Sequence, residues 1–138
     1  MPIADVATGI LNKYTGSALD TVLAGDLWRD EAKQNPTFPY GVYEFISNLN
    51  VDTFTEDREF HHIQFTIWTN DKNPATASTG LDALVLALRT LYDGVLLTVT
   101  SWTSLNMRFI SERPAISEDI TVIGAIIEYE TYISKTKT

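Results

Sequence analysis

Between Asp57 and Thr69 the chain reads Asp-Arg-Glu-Phe-His-His-Ile-Gln-Phe-Thr-Ile-Trp-Thr, and that alternation leaves few folds open. In an extended strand successive side chains point to opposite faces. His61, Ile63, Phe65 and Ile67 then share one side, with Phe60, His62, Gln64, Thr66 and Trp68 on the other. The first set is expected to face a core, because one apolar side of a sheet has to be covered by a second layer.

A second aromatic and β-branched run, Thr37 to Ser47, sets Phe38, Tyr40 and Val42 against Tyr43 and Phe45. Pro39 removes a ladder donor, so this strand is expected to begin at an edge or a bulge. Asn48 to Glu56 reads as a polar loop interrupted by Leu49, Val51 and Phe54. Asp26 to Ala32 is ambiguous and reads as a short edge strand, with a turn at Lys33 to Pro36. Beyond residue 94 three strands are expected: Val95–Trp102, Leu105–Glu112 and Ile120–Ser134, with Arg113-Pro114 among the bounding turns. The last alternates Ile123, Ala125, Ile127 and Tyr129 against Gly124, Ile126, Glu128 and Glu130, one buried face and one mostly wet.

Helical spacing appears twice. Ile3, Val6, Ala7, Ile10, Leu11 and Tyr14 predict an amphipathic helix over residues 2–14, stopped at Thr15-Gly16. Ser17 and Asp20 have the spacing of a capping box and predict one helical turn or an irregular bend. Leu81, Leu84, Val85, Leu88 and Leu91 predict a longer helix over 74–93, capped by Asn73-Pro74 and ended by Gly94. Gly80 would weaken its early part by ~1 kcal/mol. The order makes an α+β domain, a mainly antiparallel β-sheet with an N-terminal helix and a longer central helix packed on one face. At 138 residues the chain is expected to be one domain, with a mobile tail over 134–138.

Ten basic against eighteen acidic side chains give a net charge of −8. Such a surface repels phosphate, so sequence-specific nucleic-acid binding is not expected. No apolar run approaches the roughly 20 residues that span a bilayer, and no membrane partner is expected. The N-terminus lacks the basic segment and apolar core of a signal peptide, which points to synthesis in a cytoplasm. With no cysteine there is neither a disulfide nor a thiolate site.

Candidate chemistry is sparse. His61 and His62 point to opposite faces of a strand and cannot chelate one metal as an i, i+4 helical pair does. A hydrolase using either would need a nucleophile or carboxylate from elsewhere, with Glu128 or Glu130 as the available groups. Asp52, Glu56 and Asp57 lack the glycine and the closing Glu of a calcium loop. The seven glycines stand singly, so there is no phosphate cradle. No cofactor or metal is expected. Tyr40, Tyr43, Trp68, Trp102, Tyr129 and Tyr132 fit either dense packing or a protein–protein surface. The interface positions singled out are the loop Asp52, Thr53, Phe54, Thr55, Glu56, Asp57 and Arg58, and the C-terminal Ser134, Lys135 and Lys137.

Thr37-Phe-Pro-Tyr40, Gln64-Phe-Thr-Ile-Trp68, the helix ending at Leu91-Tyr-Asp93 and a strand-rich last third occur in an order and length similar to the tail completion and tail terminator proteins of long-tailed bacteriophages, including the head-to-tail joining type. The resemblance implies a non-enzymatic virion protein at the head-proximal end of the tail. It would form a homo-oligomeric ring, usually a hexamer, between the tail tube protein and the head–tail connector, with DNA only passing through. A different reading of the same chain is a small α+β binding or dimeric interaction domain, holding an apolar ligand between sheet and helix beside Trp68 or Trp102.

Overall fold

The computed structural model describes residues 3–32, 34–70, 80–99, 102–104, 107–118 and 121–136. In chain order the elements are α1 (Ile3–Tyr14), α2 (Ala18–Val22), β1 (Leu27–Arg29), β2 (Tyr40–Asn50), β3 (Glu56–Thr69), α3 (Leu81–Tyr92), β4 (Thr103–Ser104), β5 (Arg108–Ala115) and β6 (Ile123–Thr136). One sheet runs β1-β2-β3-β6, and β4 and β5 share the outer side of β6 at different heights. β1 is parallel to β2, and every other pairing is antiparallel. The architecture is α+β, as the strand and helix patterns predict.

The core lies on one side of the sheet. Tyr43, Ile63, Phe65, Ile67, Ala125, Ile127, Tyr129 and Ile133 meet Val6, Ile10 and Tyr14 of α1 and Leu84, Leu88 and Tyr92 of α3 in one buried cluster. Burying a side chain of this size contributes about 1.5–3 kcal/mol, so this cluster dominates the favourable side of folding. Phe65 stacks on Tyr92 with ring centroids 4.9 Å apart and meets Tyr129 edge-on at 5.9 Å. Two polar tips inside the cluster are satisfied, Tyr92 donating to the Ile10 carbonyl at 2.9 Å and Tyr129 donating to Asp93, while the buried Tyr43 hydroxyl has no hydrogen-bond partner among the described residues. Arg89 fixes Asp93 in turn at 2.9 Å.

Local signals explain most element ends. Ser17 caps α2 by accepting from the Asp20 amide at 3.2 Å, while the Asp20 carboxylate reaches back to the Gly16 amide at 2.8 Å, one residue earlier than a capping box would place it. The ambiguous segment at 26–32 contains β1, a three-residue edge strand. The His61–Ile67 set is fully buried, as its alternation predicts. Gly124 is required by its neighbour: a Cβ there would stand 2.6 Å from the Trp68 ring.

Other expectations are corrected. Asn48 to Asn50 belong to β2 rather than to a loop, because a bulge at Ile46 returns their side chains to register with β3. Helix α3 is described from Leu81, with Gly80 as its N-cap in an extended conformation, so Gly80 incurs no helix-interior penalty. The expected start at Asn73-Pro74 lies outside the described residues. Of the strand expected over Val95 to Trp102, the described residues 95–99 form no continuous strand; they bury Leu97 and Val99, and an isolated bridge joins Val99 to Trp102. Arg113-Pro114 lies inside β5 rather than at a turn, and the missing proline donor is tolerated because, among the described residues, β5 pairs only with β6. Ser134, Lys135 and Thr136, expected in a mobile tail, pair with Arg58, Asp57 and Glu56 as the end of β6. Lys137 and Thr138 lie outside the described residues.

Candidate interaction surfaces

The two segments singled out as interface residues, far apart in sequence, lie side by side. Asp52 to Thr55 form the turn of the β2–β3 hairpin, and Glu56, Asp57 and Arg58 open β3 beside Thr136, Lys135 and Ser134. The turn is held by its own polar groups. Asp52 accepts from the Arg58 amide at 2.8 Å, Thr53 Oγ1 accepts from the Glu56 amide at 3.1 Å, and Arg58 pairs with Glu56 at 2.6 Å. Phe54 stands at its tip, fully exposed.

Beneath this hairpin the core side of the sheet turns polar. A groove of about 330 Å³ is lined by Asn48, Asn50, Asp52, Asp57, Glu59, Trp102 and Lys135. Lys135 Nζ lies 4.8 Å from the centre of the Trp102 ring. Glu59 is buried and accepts from Asn48 Nδ2 at 3.2 Å. His61, fully buried next along the strand, has Nε2 3.9 Å from Glu59 Oε2. That carboxylate favours a charged imidazole, yet burial dominates and pulls the His61 pKa down to about 4. Sequence reasoning missed Glu59, although it sits on the same alternation as His61 and Ile63.

On its opposite face the sheet has no helix among the described residues, since α1, α2 and α3 all pack into the one core cluster. Phe60 and Tyr132 pair there with centroids 4.9 Å apart, and Trp68, Tyr40 and Val42 are half-buried. Between these apolar groups sits an ionic hub on Glu128. Ser111 donates to it at 2.7 Å, Arg113 contacts it at 2.7 Å, and His62 Nε2 lies 3.4 Å away. The Ser111 hydrogen bond, followed by Arg113, holds the Glu128 carboxyl below its ordinary value. The two histidines therefore belong to separate surfaces, and neither faces a nucleophile in the contacts described. Among the described residues no group of three His, Cys, Asp or Glu is arranged to hold a metal ion.

Among the described residues, the two tryptophans named for a ligand pocket line grooves that are polar. Trp102 lines the polar groove, and Trp68 borders an acidic one of about 360 Å³ with Asp30, Glu31 and Glu44. An apolar groove of about 560 Å³ does exist between α2 and α3, walled by Leu19, Val22, Leu86 and Leu91. The six aromatics thus divide: Tyr43 and Tyr129 are core, while Tyr40, Trp68, Trp102 and Tyr132 stay partly exposed. No described helix is long and apolar enough to cross a membrane.

No protein-family model matches this chain, and no curated protein matches it in sequence. Its fold does match solved structures. One chain from the virion of a native gene transfer agent particle superposes with a TM-score of 0.73 over 91% of each chain, at 13% identity. A second solved chain, known only by a sequence label, superposes with a TM-score of 0.66 over 100% of this chain and 99% of its own, at 11% identity. At identities this low the superpositions show a shared fold alone.

Proposed function

We propose that this chain is a non-enzymatic structural subunit of a phage-like particle, acting as a ring at the head-proximal end of the tail tube. The observation that carries the reading is the likeness, across nearly the whole of both chains, to a chain of a gene transfer agent virion. The order of sequence motifs shared with tail terminator and head-to-tail joining proteins supports the finer placement. In this reading the partners are further copies of the chain, the tail tube protein on one face and the head connector on the other. The protein is made in the host cytoplasm and resides in the virion.

The architecture suits such a role. The sheet ends in two unlike edges, the short β1 and the longer β5, and neither is paired on its outer side among the described residues. Unpaired strand edges are liabilities that assembly resolves. A contact between two different surfaces of one subunit closes into a ring with two distinct faces. The hairpin Asp52–Arg58 with Ser134, Lys135 and Lys137 is the surface assigned to the partner contact. The net charge of −8 keeps the ring from gripping DNA that passes through it.

Adding the purified protein to tubes assembled from the cognate tube protein tests this directly. Electron microscopy is expected to show one ring at one end of each tube, with tube growth stopped there. Tubes that keep growing with bare ends, together with a protein that stays monomeric at high concentration, would overturn the reading.

A further inference from the structure

Among the described residues, the groove under the β2–β3 hairpin is lined by three carboxylates, Asp52, Asp57 and Glu59, and one ammonium, Lys135, a formal sum of −2. Glu59 is only 8% exposed. Its Oε1 accepts from Asn48, while Oε2 has no hydrogen-bond partner. Oε2 is turned towards His61, 3.9 Å away, whose ring nitrogens are also unpartnered. Burial keeps that imidazole neutral at pH 7, so it supplies Glu59 with no positive charge. A buried carboxylate with so few partners is costly, and its field is weakly screened. The groove wall already receives a cation on an aromatic face, where Lys135 lies over Trp102.

We propose that this groove is the receptor for an arginine side chain carried by a neighbouring protein subunit. A guanidinium is planar, presents five donors and stacks on indole, which matches carboxylate and amide oxygens beside Trp102. A metal ion fits less well, because the acidic groups are not gathered into a coordinating set among the described residues. Only the origin of the arginine rests on the particle function proposed above; the preference of the groove for a guanidinium does not.

The test is a titration of the isotope-labelled full chain with N-acetyl-arginine methylamide, followed by amide and indole chemical shifts. Saturable shifts are expected at Asn48, Asn50, Asp57, Lys135 and the Trp102 indole. Glu59→Gln, which keeps the shape and the Asn48 contact, is expected to weaken binding about tenfold, and Lys135→Met to strengthen it. Should Glu59→Gln not fold, Asp57→Asn is expected to show a similar weakening. Scattered shifts that sodium chloride reproduces, or binding indifferent to these substitutions, would overturn the proposal. Saturation by calcium chloride without saturation by the arginine probe would overturn it too, and assign the groove to a metal ion. A groove that binds the probe in a protein that never caps tubes would remove the particle reading alone. Capped tubes with a silent groove would remove this proposal alone.

Discussion

The strands β2, β3 and β6 pass through two environments on the same side of one sheet. In the body, Tyr43, Ile63, Phe65, Ile67, Ile127 and Tyr129 are sealed under α1 and α3 with no exposure. Towards the hairpin, the equivalent positions become His61 beside Asn48, then Glu59 beside Asn50, then Asp57 beside Lys135. β3 pairs with β6 without a break across both, and β2 stays paired with β3 on either side of the bulge at Ile46, so what chiefly changes is the cover. Where helices lie over the sheet, the side chains specify the fold. Where they do not, the same period-2 geometry presents a polar groove and an exposed Phe54. Under the proposed function, stability and assembly fall to different halves of the same strands.

Replacing Phe65 with Ala should break the first half. It removes the ring stacked on Tyr92 and edge-on to Tyr129, and a loss of about 3–5 kcal/mol in urea unfolding is expected. A loss below about 1 kcal/mol would mean that the core is not where the comparison puts it.

His61 stands at the border and should show it through pH. Its folded value of about 4 lies below the ordinary 6.5, so between the two the unfolded chain binds the proton more readily. The stability is therefore fully present above about pH 6.5 and is lost as pH falls towards 4, by about 2 kcal/mol at pH 5. Urea unfolding at pH 7 and pH 5 measures this, and His61→Leu should flatten that part of the profile. An unchanged slope in the variant would assign the acid sensitivity to other groups.

Tyr129→Phe keeps the ring and removes the hydroxyl that donates to Asp93, so a loss of about 1 kcal/mol is expected, with Arg89 still holding Asp93. Phe54→Ser lies at the other extreme. Its side chain touches no core, and the melting temperature should change within the effect of about 0.5 kcal/mol typical of a surface site. Capping of tubes should nevertheless fail. A variant that caps tubes normally would detach the hairpin tip from assembly.

Much of the body was legible because alternation carries physical information. The core sides of β3 and β6 follow from period 2 alone, and α1 follows from its apolar stripe. What was not legible depended on geometry that sequence does not encode locally. The bulge at Ile46 keeps Asn48 and Asn50 in the sheet, although both residues favour loops. Pro114 fits within β5 only because that strand lies at an edge, a fact of the whole topology. The two segments proposed as an interface were picked out one at a time through polarity and position. That they pair residue for residue, Asp57 beside Lys135, emerges only from the register of β3 on β6. Glu59 was hidden because an acidic residue on a core-facing position reads as an exception until the helices are seen to stop short of it.

The central claim, that this chain works by assembly at the end of a tail tube, is tested most directly by imaging tubes of the cognate tube protein formed with and without it. The account predicts tubes of limited length carrying a ring at one end, and bare-ended tubes with the Phe54→Ser protein. Tubes indistinguishable with and without the wild-type chain, and no ring at either end, would contradict it.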